Sequence, residues 1–449
     1  MSAAGLGWLG IVRLGLVQSA LGAVVVLTTS TLNRVMVVEL ALPALVPGLL
    51  VALHHVIQML RPRFGYGSDV GGRRTPWIIG GMAVLAAGGL LAAVATAWMD
   101  ESRSGGLVLA VAAFSMIGVG VGAAGTSLLV LLAKQVEPGR RAAAATIVWI
   151  MMIAGFVVTA GLAGHFLDPY SSARLVMVTG SVALIAFTVA LLAVWGVETR
   201  GGTTIGAESR ASKPPFREAL AEVWGEPRAR RFTIFVFVSM LAYSAQDLIL
   251  EPFAGLVFGL TPGESTQLSA VQNSGVLLGM ILVALVAGRR SGRSFGSLRA
   301  WTIGGCIASG MALLALAVAG YVGPEWPLRP SVFALGAANG AFSVAAIASM
   351  MALVGAGRAS REGVRMGLWG AAQAIAFAAG GVVGTASVDL LRWLVGSPLA
   401  AYAMVFFVEG LVFIWAARLA ARVNDPAGER ADAGLLVAPA RLAAETSTR

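Results

Sequence analysis

Between two apolar runs the chain reads Gly65-Tyr66-Gly67-Ser68-Asp69-Val70-Gly71-Gly72-Arg73-Arg74. Glycines at this density permit a tight turn at a helix end. Asp69 suits the exposed amides at the N-terminus of an adjacent helix, or an arginine from the loop or another helix. The two arginines hold this loop in water. A short, basic, glycine-rich loop between long apolar stretches is the connection expected inside a bundle of membrane-spanning helices.

The rest of the chain agrees. Of 449 residues 57% are apolar and 12% charged, against ~45–50% and ~25% for a soluble globule. Mean hydropathy is +0.83. A spanning helix needs ~20 mostly apolar residues. Runs of that kind fall at 11–33, 43–60, 76–98, 107–133, 142–166, 174–195, 231–258, 267–288, 299–320, 330–354, 366–386 and 398–418. The second, with Pro47 and Gly48, is the weakest. The short start before the first run carries no charge ahead of Arg13 and does not resemble a cleaved signal peptide. The first run is expected to stay as an anchor.

With the N-terminus placed inside, 27 of the 32 lysines and arginines fall on the inner side, and Arg34, Arg103, Arg174, Arg329 and Arg392 on the outer. That bias is the positive-inside rule. It predicts twelve spans with both termini cytoplasmic, and it explains the +10 net charge without nucleic acid as a partner. The longest polar stretch divides the chain into a six-helix half (1–196), a cytoplasmic linker (197–230), a second six-helix half (231–419) and a flexible tail (420–449). Within the linker, 216–224 (FREALAEVW) has the pattern of a short amphipathic surface helix. A shift of 224 residues lays Gly72 on Gly296, Trp77 on Trp301, Ile79 on Ile303 and Gly80-Gly81 on Gly304-Gly305. This weak repeat predicts two parallel halves related by an axis along the membrane normal.

Gly65, Asp69, Gly72, Arg73 and Arg74 resemble the signature of the major facilitator superfamily; Val70 departs from it, standing where a basic residue is usual. A closer resemblance runs through Leu27-Thr28-Thr29-Ser30-Thr31-Leu32-Asn33-Arg34-Val35-Met36-Val37-Val38-Glu39-Leu40, Ala52-Leu53-His54-His55 and Arg61-Pro62-Arg63-Phe64-Gly65. These segments are similar to PucC-type light-harvesting assembly proteins, the bacteriochlorophyll-delivery family. The resemblance implies an all-α facilitator fold of the bacterial inner or intracytoplasmic photosynthetic membrane. It implies bacteriochlorophyll as a bound group, with carotenoid or lipid as further candidates. It implies antenna alpha and beta polypeptides as partners, with the reaction-centre core, pigment synthesis enzymes and the protein translocase as neighbours.

A chlorin magnesium needs an axial ligand, most often imidazole beside an apolar slot. The chain offers three histidines: His54, His55 and His165. His54 and His55 are about 100° apart on one helix, so both cannot face one ring. His54 shares a face with Gln58. A helix–helix hydrogen bond or packing role competes with ligation for both, and His165 reads as an interface residue. Thr28, Thr29, Ser30, Asn33, Arg34 and Glu39 are candidates for partner or substrate contact. Arg34 and Glu39 are expected to anchor the end of span one at the headgroups. Asp247 and Glu251, one turn apart, and Glu409, deep in span twelve, are the alternative reading: a proton relay in a secondary transporter. Gly118, Gly120, Gly122 and Ala124 predict close helix contact. Cys306 is the lone cysteine, which leaves no intrachain disulfide. No nucleophile–histidine–acid set and no phosphate loop is present, so catalysis is not expected. A structural partner that binds antenna polypeptides without pigment is the third reading.

Overall fold

A computed structural model describes residues 6–61, 64, 73–137, 140–198, 221, 223–287, 297–356 and 362–423. Helix α1 is continuous over Trp8–Glu39, and a shorter apolar helix, α2, follows at Leu45–Leu60. Then come α3 (Thr75–Trp98), α4 (Arg103–Gln135), α5 (Arg141–Leu167), α6 (Ser172–Val194), α7 (Pro227–Phe258) and α8 (Pro262–Ala287). The chain continues as α9 (Leu298–Val322), α10 (Leu328–Ala356), α11 (Glu362–Val395) and α12 (Pro398–Val423). Among the described residues eleven helices, all but α2, are long and apolar enough to cross a membrane. The protein is an all-α, multi-span membrane protein.

Local chemistry sets the boundaries. Ser102, Ser171 and Ser297 accept the N–H groups of Gly105, Arg174 and Ala300 and so start α4, α6 and α9. Gly259, at φ 70°, ends α7 in the left-handed conformation that favours glycine. The structure corrects the expected end of the first span. The polar run from Thr28 does not stop the helix; it continues through two π segments, Leu27–Thr31 and Val35–Glu39. Such widened turns re-aim side chains and recur at functional positions.

Within the first six helices α3 packs on α4 and α6, α1 on α5 and α6, and α2 on α4. Each pairing recurs with both numbers raised by six: α9 on α10 and α12, α7 on α11 and α12, α8 on α10. Two seams, α5–α8 and α2–α11, join the sets. Each set has its own main apolar core, with Leu248 of α7 packed into the first, and a small cluster of Ile153, Val276 and Met280 bridges α5 and α8. In lipid, helix association rests on close packing rather than on the hydrophobic effect. Glycines therefore matter at the contacts. A Cβ at Gly81 would stand 2.6 Å from the Ala124 nitrogen, and one at Gly305 would stand 2.8 Å from the Phe342 nitrogen. The pair aligned by the internal repeat thus repeats in role, α3 on α4 and α9 on α10. Gly118 meets the His54 carbonyl and Gly120 meets the Leu85 amide, so these positions serve close helix contact as expected.

Gly65, Asp69 and Gly72 lie outside the described residues, as do the tail beyond 423 and most of the linker. Of the expected surface helix, Val223 is buried and Trp224 exposed.

Candidate functional site

On α2 the two histidines turn to different neighbours. His54 is buried toward α4. Its Nε2 lies 2.8 Å from the Gln58 side-chain amide and its Nδ1 lies 3.2 Å from the Val51 carbonyl. The amide donates to Nε2, which leaves the ring proton on Nδ1, aimed at Val51. Gln58 in turn accepts from Arg61. Both nitrogens of His54 are therefore engaged. His55 is half-buried and faces α11, with its ring 5.4 Å from Phe377 and 4.2 Å from His54. Among the described residues its ring nitrogens have no hydrogen-bond partner. Phe377 continues to Tyr243 of α7 at 6.0 Å, and Tyr243 to Phe342 of α10 at 6.4 Å. The imidazole thus meets, across the α2–α11 seam, an aromatic run that lies within the second helix set. An imidazole nitrogen without a hydrogen-bond partner among the described residues is the donor type that a chlorin magnesium takes, and its neighbour Phe377 is apolar. His165 is brought into neither group: it is exposed at the end of α5, edge-on to Phe166.

The polar run of α1 does not form a headgroup anchor. Arg34 is 2% exposed and Asn33 fully buried. Arg34 pairs with Glu39 and donates to the Leu260 carbonyl at 2.6 Å. Asn33 donates to the Leu248 carbonyl at 2.6 Å, and Thr31 meets Thr266 at 3.0 Å. Gly255 accounts for the depth of the arginine, because a Cβ there would stand 3.0 Å from the guanidinium. Thr28 and Thr29 turn back to the Val25 carbonyl. Ser30 is buried. The run is thus an internal contact between α1, α7 and α8, with Glu39 the part nearest the surface.

The acids of α7 sit beside that contact. Glu251 is buried and accepts from Ser269 of α8. Asp247, one turn earlier, lies beside Gln272 of α8. Gln246 is fully buried with neither amide atom bonded among the described residues. Glu409 of α12 lies apart and buried, and neither carboxylate oxygen has a partner among the described residues. It faces protein rather than lipid, as expected for an intramembrane acid.

Two polar residues absent from the candidate set hold helix ends. The Glu198 carboxylate, just past α6, accepts the N–H groups of Arg74 and Thr75 at 2.9 Å and the Thr75 hydroxyl at 2.8 Å. It thereby caps α3, the kind of role that local reasoning offers to Asp69. Asp389 of α11 accepts the N–H groups of Ala44 and Leu45. Hydropathy ends span eleven at 386 and so places Asp389 in a loop; an acid inside an otherwise apolar run was the signal for it. Among the described residues no group of three metal-ligating side chains occurs.

Together the long apolar helices, the helix pairings and the polar interior define an all-α, multi-span membrane protein whose fold resembles that of the major facilitator superfamily. Solved structures share its fold. A bacterial homologue of the human lysosomal transporter Spinster, inward-facing and occupied, matches with TM-score 0.67 and 14% identity over 92% of this chain and 96% of that one. A D-xylose–proton symporter matches with TM-score 0.66 and 14% identity over 91% and 96%. The pattern of the PUCC protein family matches residues 31–428, and the chain belongs to that family. A Rhodobacter capsulatus protein named "Bacteriochlorophyll synthase 44.5 kDa chain" is 55% identical over 418 residues, 93% of this chain and 96% of its own. "Protein PucC" of Cereibacter sphaeroides is 30% identical over 426 residues, 90% of each chain.

Proposed function

We propose that this protein binds bacteriochlorophyll in a bacterial inner, photosynthetic membrane and serves light-harvesting assembly, delivering pigment to antenna alpha and beta polypeptides or chaperoning them. Membership of the PUCC family and the name of the 55% identical relative support a link to pigment. One geometric observation supports the binding: the imidazole of His55, without a hydrogen-bond partner among the described residues, faces the aromatic run of Phe377 and Tyr243. His55 would supply a nitrogen ligand to the pigment magnesium, and Phe377 and Tyr243 would give the pigment apolar surroundings. His54, held by Gln58 and Val51, would orient its neighbour. Carotenoid or lipid would share the same apolar surroundings. The reaction-centre core, pigment synthesis enzymes and the protein translocase are the further partners of this reading. We read the chain as a carrier and not an enzyme, with twelve spans in two six-helix halves and both termini cytoplasmic. The helix pairings that recur six numbers later support that arrangement.

The test is an absorption spectrum of protein purified gently from a phototrophic host, with mass analysis of bound polypeptides. A stoichiometric near-infrared band that shifts in a His55 variant is expected. A colourless, folded protein that holds antenna polypeptides would replace this reading with a pigment-free structural role.

The buried acids favour a second reading, proton-coupled transport of a small solute. Asp247 and Glu251 lie where α1, α7 and α8 meet, and Glu409 lies deep in α12. The solved neighbours share a scaffold, and these acids are what give that scaffold proton-binding groups. Uptake into proteoliposomes driven by a pH gradient, and lost in Asp247→Asn, would support transport and displace pigment delivery.

A further inference from the structure

Beside the bonds of Asn33 and Arg34 to Leu248 and Leu260, two matching carboxylate contacts join the helix sets at one end. In the first, the Asp389 carboxylate near the end of α11 accepts the N–H of Ala44 at 3.0 Å and that of Leu45 at 2.8 Å, at the start of α2. In the second, Asp168 at the end of α5 accepts the Thr261 hydroxyl at 2.8 Å and the Gly263 N–H at 3.2 Å, at the start of α8. The places correspond: each joins the end of one set's fifth helix to the start of the other set's second. A proline also stands at each capped helix start, Pro43 shortly before α2 and Pro262 as the first residue of α8.

A carboxylate at a helix N-terminus satisfies orphan amides and the positive end of the dipole. Elsewhere among the described residues that work stays within one helix set, as with Ser102 and Ser297, which cap their own helices, and Glu198, which caps α3. Here a carboxylate comes from the opposite helix set, so the sets cannot part at this end without releasing the Ala44, Leu45 and Gly263 amides, although Thr261 and Glu264 also cap the start of α8 locally. Both contacts are also open to water. A depression of about 700 Å³ lies over Asp168, lined further by Thr261 and Pro262, and one of about 430 Å³ lies over Asp389, lined further by Pro43 and Arg392. Water entering either one can take over the released amides, which makes the contacts reversible.

We infer that Asp168 and Asp389 form paired latches that hold this end of the two helix sets closed and release together when the sets separate. The inference is independent of the cargo and goes beyond the pigment reading. Either latch alone keeps the end shut, so loss of one is masked by the other.

Nitroxide labels on Asp100→Cys and Glu325→Cys, exposed at this end on opposite sets, report the separation in a Cys306→Ser background. The parent should give one narrow distance distribution, and D168N or D389N alone should leave it nearly unchanged. D168N/D389N together should add a population at longer distance. A double variant that is folded by circular dichroism and keeps the parental distribution overturns the inference. A second measurement needs no latch variant. Hydrogen exchange on the unaltered protein should show Ala44, Leu45 and Gly263 protected to a similar degree, because they open in one event. Free exchange at one helix start beside protection at the other would equally overturn it.

Discussion

A histidine whose ring nitrogens already serve partners must break those bonds before it reaches a metal, and one without partners need not. His54 spends Nε2 on Gln58 and Nδ1 on Val51, whereas among the described residues His55 makes only ring contacts, with His54 and Phe377. His55→Leu is therefore expected to weaken pigment retention at least ~10-fold, about 1.4 kcal/mol. The pigment-to-protein absorbance ratio after purification measures it. His54→Leu is expected to act on the fold, leaving Gln58 short of a partner at about 1–3 kcal/mol, while the surviving folded fraction keeps its pigment. Arg34 supplies a second case. Arg34→Met removes a buried charge from Glu39 and a donor from Leu260, at about 3 kcal/mol. Glu39 is 34% exposed and water compensates part of its loss, so the cost lies toward the low end of the usual range. The unfolding midpoint in detergent reports it, and R34M/E39Q should recover part of the loss. The sequence could be read as far as the i,i+4 relation of His54 and Gln58. It misled at Arg34, because hydropathy treats a polar run as a helix end. The partners that draw the run inward, Leu248, Leu260 and Thr266, are more than two hundred positions away. Asp247 and Glu251 share this history: the same-face acids were visible locally, but Gln272 and Ser269, which separate them, come from α8.

Helix against helix, the deciding atoms are often backbone. A Cβ on Gly340 would press on the Val276 carbonyl, and one on Gly336 on that of Gln272, both in the α8–α10 contact. Gly340→Leu is expected to force these helices apart, with a loss of about 1–3 kcal/mol seen as reduced thermal stability, whereas Gly304→Ala, which meets nothing within 4 Å, should be neutral. The start of α3 gives a pH-dependent case. Burial alone raises a carboxyl's pKa, but at Glu198 the N–H groups of Thr75 and Arg74, the Thr75 hydroxyl and the Arg74 charge outweigh it and hold the group below its ordinary value. A carboxyl with a lower pKa folded than unfolded adds stability that is whole above the unfolded value, ~4.3, and vanishes as pH falls through the folded one. Glu198→Gln should therefore lower the midpoint at neutral pH, and the gap to the parent should close as the solution is acidified below that range. The apolar runs and the repeat at Gly81 and Gly305 made the helices and their order legible. The α3 cap was not legible, since Glu198 follows Thr75 by more than a hundred residues and meets it only after α6 has folded back on α3.

For the whole molecule the question is whether the two helix sets move apart during function. The seams α5–α8 and α2–α11 carry different loads: the first is a close helix contact, and the second holds His55 against Phe377. A Cβ at Gly161 would stand 3.8 Å from the Ala270 Cβ across α5–α8, which is the spacing a disulfide requires. Gly161→Cys with Ala270→Cys, in a Cys306→Ser background, is expected to crosslink under mild oxidation and to fix that seam without touching the other. Two consequences separate the readings of function. If pigment sits at His55, the oxidised protein should keep its near-infrared band, because the α2–α11 seam is intact. Transfer to antenna polypeptides should stop if release needs the sets to part, and reduction should restore it. Solute transport by rocking of the sets requires more, since a fixed seam would abolish uptake altogether. A crosslinked protein that loses its band on oxidation and regains it on reduction would instead place the pigment at the α5–α8 seam, and His55 would then revert to a packing role.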